Sequence, residues 1–134
     1  MKKIIKLNFG ENKKIDVVMG DTVIPTDQSL ANGGDASAPE PFQLFLASIA
    51  ACVGIYALEF CRNRNISTRG MDLVMECERD PAQKRYTKMS FDLTLPEGFP
   101  EKFRNVIVRA MDLCAVKKHI VNAPEFEITT SRRQ

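Results

Sequence analysis

The sequence predicts an α+β fold in the order βββ-α-ββ-α-β, built as one domain over residues 1–134. Three observations lead there. Short stretches of alternating apolar and polar residues fill the first 26 positions and return between 71 and 95. A long, almost wholly apolar run begins at Pro41 and extends to about Arg62. A second, amphipathic helical pattern follows the later strands. With 134 residues, 44% hydrophobic and 27% charged, the composition is ordinary for a globular domain and excludes a disordered, collagenous or disulfide-scaffold chain. A chain of this size hides roughly two-thirds of its unfolded surface on folding, enough for a core without staples.

The elements follow in order. Ile4, Leu7 and Phe9 precede a turn at Gly10-Glu11-Asn12, and Ile15-Asp16-Val17-Val18-Met19 returns before Gly20-Asp21. That reads as a hairpin, with Thr22-Val23-Ile24-Pro25 as a third strand. Residues 27–39 are small and polar, a loop. Ser37-Ala38-Pro39-Glu40 has the letters of a capping box, but Ala38 and Glu40 each precede a proline and so avoid the α region. Pro41 is the better first helical residue.

From Pro41 to Phe60 the polar side chains are Gln43, Ser48, Tyr56 and Glu59, so the helix is apolar almost all round. Such a helix is buried on every side or lies in a membrane. A membrane span needs about 20 mainly apolar residues. The cleaner run, Leu44 to Leu58, is shorter and crowded with Ala47, Ala50, Ala51, Gly54 and Ala57. Those residues suit close contact with another element, and a second copy of the same helix is a candidate. No membrane partner is expected.

Beyond it, Leu73, Met75 and Cys77 share one face of a strand, Asp80-Pro81-Ala82-Gln83 turns, and Tyr86 to Leu95 runs back antiparallel. Phe103, Val106, Ile107, Ala110, Leu113 and Cys114 recur at helical spacing as a second helix. Ala123-Pro124 breaks before a last strand, Glu125-Phe126-Glu127-Ile128-Thr129.

Nineteen basic residues against seventeen acidic ones leave +2, spread along the chain, which excludes an electrostatic footprint for nucleic acid. Four cysteines without a CxxC pair, and an N-terminus lacking the pattern of a signal peptide, lead to the expectation of a cytoplasmic protein with free thiols. One histidine and four scattered cysteines offer no metal-ligand cluster, and no cofactor is expected.

Taken alone, Cys52 in mid-helix reads as a small core hydrophobe, because a helix dipole assists a thiolate only at the first turn. Cys61, nine residues on, lies roughly 13 Å further along the helix and half a turn out of phase, too far to pair with Cys52. Cys61 reads as packing and Cys77 as strand core. Cys52 and Cys114 lie on separate elements, and the residues alone leave open whether they meet. His119, five positions beyond Cys114, is about 140° round a helix and poorly placed to act as its base.

The loop leading through Pro39-Glu40-Pro41-Phe42-Gln43-Leu44-Phe45-Leu46-Ala47-Ser48-Ile49-Ala50-Ala51-Cys52 into an apolar helix, with Cys114-Ala115-Val116-Lys117-Lys118 some sixty residues later, resembles the OsmC/Ohr superfamily of osmotically inducible and organic-hydroperoxide-resistance proteins. The likeness spans essentially the whole chain. It implies an OsmC-like fold and an intertwined homodimer with a central, buried helix pair. It also implies thiol-dependent peroxidase chemistry in an oxidative stress response, with an organic hydroperoxide as substrate and a dithiol as reductant. Cys52 would be the peroxidatic thiol and Cys114 the resolving one.

The chain departs from the family where the thiol is activated. The family's arginine and glutamate are not matched: no arginine precedes Arg62, and Phe42 and Gln43 stand where the acid is expected. Ala115 follows Cys114 where proline is common. A buried thiol without a cation has its pKa raised. Lys13 or Lys14 on the hairpin is the candidate substitute cation, and Glu40, beside Gln43, the candidate acid. The alternative is a non-catalytic OsmC-like stress protein that binds a small hydrophobic ligand at the dimer interface.

Overall fold

The computed structural model describes residues 1–133. They form two compact units, residues 1–48 and residues 49–133. The first holds an antiparallel sheet of β1 (Lys6–Phe9), β2 (Ile15–Met19) and β3 (Thr22–Thr26) in sequence order. Its turns use residues at positive φ, Asn12 between β1 and β2 and Gly20 between β2 and β3, where Met19 pairs with Thr22.

The loop after β3 is organised by one carboxylate. Asp27 is fully buried and accepts hydrogen bonds from the backbone N–H of Gln28 and from both the N–H and the hydroxyl of Ser37. Those bonds, Ser37's foremost, hold its carboxyl far below the usual range. Gly34 belongs to the same loop by necessity, since a Cβ there would stand 2.1 Å from the Gln28 carbonyl oxygen.

Helix α1 (Pro41–Asn63) starts at the proline and runs from the first unit into the second. Its buried residues, Ile49, Val53, Ala57, Phe60 and Cys61, follow one stripe at helical spacing. The remaining faces differ from the expectation of burial on every side: Phe42, Phe45 and Ile55 are exposed in the protomer. By length and composition the helix could cross a membrane, although a stripe buried against protein is the mark of a core helix.

In the second unit, β4 (Asp72–Asp80) and β5 (Arg85–Thr94) pair antiparallel, with a register shift between Glu78 and Arg79. Leu73, Met75 and Cys77 point to one half-buried face, as the alternation requires. Helices α2 (Arg104–Met111) and α3 (Ala115–Val121) follow. The core joins Val53, Ala57, Phe60 and Cys61 of α1 to Ile107, Met111 and Cys114, with Leu73, Phe91 and Leu93 of the sheet packed against it. Phe60 meets the Phe103 ring edge-on at 5.8 Å, and the Arg64 guanidinium lies 3.7 Å above the Phe60 ring.

Two expectations are corrected here. The second helix is not continuous: Cys114 turns to an extended ψ of 122°, ends the helical path after α2 and becomes the cap of α3. Burial of Cys114 in the core, together with a sulfur–amide bond to Lys117, outweighs the helical preference of these residues. The strand expected at 125–129 does not form in the protomer either. Residues 123–133 have no regular structure, and Phe126 and Ile128 are exposed, because no strand of this chain pairs with them.

Candidate functional site

Cys52 projects from the fourth turn of α1, half-buried, toward the start of α3. The first N–H groups of any helix lack partners within it. In α3 they find sulfur. The Lys117 N–H donates to Cys114 Sγ at 3.5 Å, and the Val116 and Ala115 N–H groups lie near enough to Cys52 to lower its pKa. Each thiol also acts on the other's pKa, and Cys52 packs against the core cluster that contains Cys114. The structure therefore brings Cys52 and Cys114 into contact, with Cys114 fully buried.

The electrostatics separate the two sulfurs. The Val116 N–H is the main cause holding the Cys52 pKa below the ordinary thiol value; the Cys114 thiol and the Ala115 N–H add to it, and burial opposes. Burial pushes Cys114 the other way, reinforced by its neighbour Cys52 and opposed by the Lys117 and Val116 N–H groups. Of the two sulfurs, Cys52 is therefore the easier to ionise. Residues 115–117 act through backbone N–H groups, which no side-chain motif reveals. A readable signal would have been a helix break at Asp112-Leu113-Cys114, but that segment contains neither glycine nor proline. The break also moves His119 onto α3, where its exposed Nδ1 lies 2.7 Å from the Ala115 carbonyl oxygen.

The candidate activating residues lie in the first unit, and each is engaged there. Lys14 forms an ion pair with Asp35, which raises the lysine's pKa, and Lys13 donates to the Asn32 carbonyl. Glu40 accepts from the Asn32 side chain at 3.0 Å. Gln43 reaches back to accept the Glu40 N–H at 3.0 Å, half of a capping box at the start of α1.

A cavity of about 570 Å³ adjoins the thiol pair through Val53, Met111 and Lys117, although neither sulfur lines it. Phe91, Leu93, Leu95 and Ile107 line it together with Arg104 and Arg109. No group of residues suited to hold a metal ion occurs among the described residues.

Residues 34–129 match the family profile described as OsmC-like protein. This chain belongs to the OsmC-like family. Solved structures of the OsmC/Ohr superfamily share its α+β fold. A candidate osmotic stress induced and detoxification response protein of Psychrobacter arcticus is 18% identical, with a TM-score of 0.71 over 88% of this chain and 87% of that one. An OsmC-like protein of Mycoplasma pneumoniae is 14% identical, with a TM-score of 0.69 over 92% and 89%. An organic hydroperoxide resistance protein OsmC of Legionella pneumophila is 22% identical, with a TM-score of 0.55 over 90% and 89%. At these identities the likeness establishes the OsmC-like fold. Comparison with curated protein sequences returns no match.

Proposed function

We propose that this OsmC-like protein is a cytosolic, homodimeric, thiol-dependent peroxidase that reduces organic hydroperoxides, with Cys52 as the peroxidatic and Cys114 as the resolving residue. The observation that carries the reading is the packing of Cys52 against the core cluster that holds Cys114, with the Val116 and Ala115 N–H groups and the Cys114 thiol near enough to lower the Cys52 pKa. That arrangement supplies, from α3, the anion stabilisation that the missing arginine would otherwise provide. The homodimer is supported by the exposed apolar side chains of α1.

In the first step the Cys52 thiolate attacks the outer peroxide oxygen. The O–O bond breaks, the alcohol leaves after taking up a proton, and Cys52 becomes a sulfenic acid. Cys114 then attacks the Cys52 sulfur and releases water, leaving a disulfide. A dithiol restores both thiols by two exchanges and is itself oxidised to a disulfide. Two electrons pass from the sulfur pair to each peroxide.

The test is steady-state turnover of cumene hydroperoxide with dithiothreitol, alongside the Cys52→Ser variant and mass spectrometry of the peroxide-treated protein. Turnover that Cys52→Ser abolishes, with loss of two hydrogens mapped to Cys52 and Cys114, is the expected result. Turnover equal to the variant's, with both thiols unreacted, would leave the scaffold as a non-catalytic binder of a hydrophobic ligand.

A further inference from the structure

We infer that joining Cys52 and Cys114 in a disulfide unlatches α3, and that this movement gives the reductant access to the Cys114 sulfur. Little else holds α3. It has seven residues, none of them buried, and only Val116 is half-buried against the core. Isolated helices of this length do not persist in water, where about 12–15 residues are needed. Its start is held to the sulfur pair: the Lys117 N–H donates to Cys114 Sγ at 3.5 Å, Cys114 is the cap, and the Ala115 and Val116 N–H groups lie close enough to Cys52 to lower its pKa. Beyond these stand an exposed ion pair between Lys117 and Asp112 and a bond from the Lys118 N–H to the Cys114 carbonyl, which also belongs to the cap.

A thiolate is a strong, charged acceptor, and bonds to charged acceptors are roughly twice as strong as neutral ones. Oxidation removes that charge. Two thiols lose two electrons and two protons, and the new bond turns both sulfurs toward each other and away from the amides. The helix then keeps a neutral, misdirected cap.

The access argument is independent of this. When a thiolate attacks a disulfide, the sulfur of lower pKa is the better leaving group. Attack at Cys114, expelling Cys52, is therefore the favoured direction. Yet Cys114 is 0% exposed, with the Lys117 N–H of the segment that it caps 3.5 Å from its sulfur. Movement of α3 removes this obstruction. Expulsion of the Cys52 thiolate then restores the acceptor for the Val116 and Ala115 N–H groups and re-seats the helix.

The inference relies on the proposed peroxidase reading only for its physiological trigger. The test uses the full-length protein oxidised with diamide, which takes up the two thiol hydrogens at its N=N bond. Peptide mapping verifies the Cys52–Cys114 link, and amide hydrogen exchange is followed by mass spectrometry. Exchange over 115–121 is expected to accelerate about tenfold on oxidation while β4 and β5 keep their protection. The Cys52→Ala variant, which lacks the acceptor, should show faster exchange at 115 and 116 with no oxidant present. A verified disulfide with unchanged exchange, failure of diamide to form the link, or an unchanged Cys52→Ala protein would each overturn the latch. Failure of peroxide turnover beside a positive diamide result would instead remove the peroxidase reading and leave the latch intact.

Discussion

Replacing Ala115 by proline tests the source of Cys52 reactivity directly. Ala115 is the first residue of α3, where the N–H has no partner within the helix and proline is tolerated, and Cys114 before it is already extended at φ −47° and ψ 122°. The substitution therefore leaves the helix in place and removes one of the two backbone N–H groups that lower the Cys52 pKa. A hydrogen bond to a charged group contributes about 1.5–3 kcal/mol. Ala115 contributes less than Val116, so the lower end applies, about 1.5 kcal/mol, or roughly a tenfold smaller thiolate fraction at fixed pH. The assay is the rate of iodoacetamide alkylation at Cys52, resolved by peptide mapping between pH 6 and 8, with thermal unfolding measured in parallel. Ala115→Pro should alkylate about tenfold more slowly, with its Tm unchanged or slightly raised by the stiffer unfolded chain. An unchanged or faster rate, at unchanged Tm, would refute the assignment of thiolate stabilisation to these N–H groups.

Other outcomes follow from the same geometry. Cys114→Ser should leave alkylation of Cys52 measurable but abolish the intramolecular disulfide, so that repeated peroxide treatment drives Cys52 to the sulfinic state seen by mass. Ile107 is fully buried at the centre of the core, and Ile107→Ala should cost about 2–5 kcal/mol in urea unfolding. Gly34→Ala places a methyl group into the Gln28 carbonyl and should destabilise the 27–37 loop by about 1–3 kcal/mol, read as loss of amide protection there. Asp27 has a depressed folded pKa, so its contribution is complete above the ordinary carboxylate range near pH 4 and is lost only as pH falls through the much lower folded value. The Ser37 amide resonance should stay constant from pH 7 to below pH 4, and a midpoint near pH 4 would contradict the hydrogen-bond assignment.

Much of the scaffold was legible in residue periodicity. The Leu73/Met75/Cys77 face, the turns around Gly10–Asn12 and Gly20, and the start of α1 at Pro41 all rest on short-range rules that operate within a few residues. The break between α2 and α3 was not legible, because Cys114 is extended through its place in the core and no local breaker announces it. The same limit affected the site. Cys52 in mid-helix gave no sign of activation, since the donors come from a helix more than sixty residues away and belong to the backbone. Segment 125–129 shows the reverse case. Its alternation is strand-like, but alternation specifies a face, and a strand also needs a neighbour to receive its N–H and C=O groups.

Cys61 is as deeply enclosed as Cys114, and burial raises its pKa too, against the pull of the nearby Arg64. A sulfhydryl reagent added to the intact protein would therefore count fewer than the four groups in the chain, and the count would rise to four only on denaturation. One colorimetric titration would then report at once on how much of the preparation is folded and on how much of its sulfur is already oxidised.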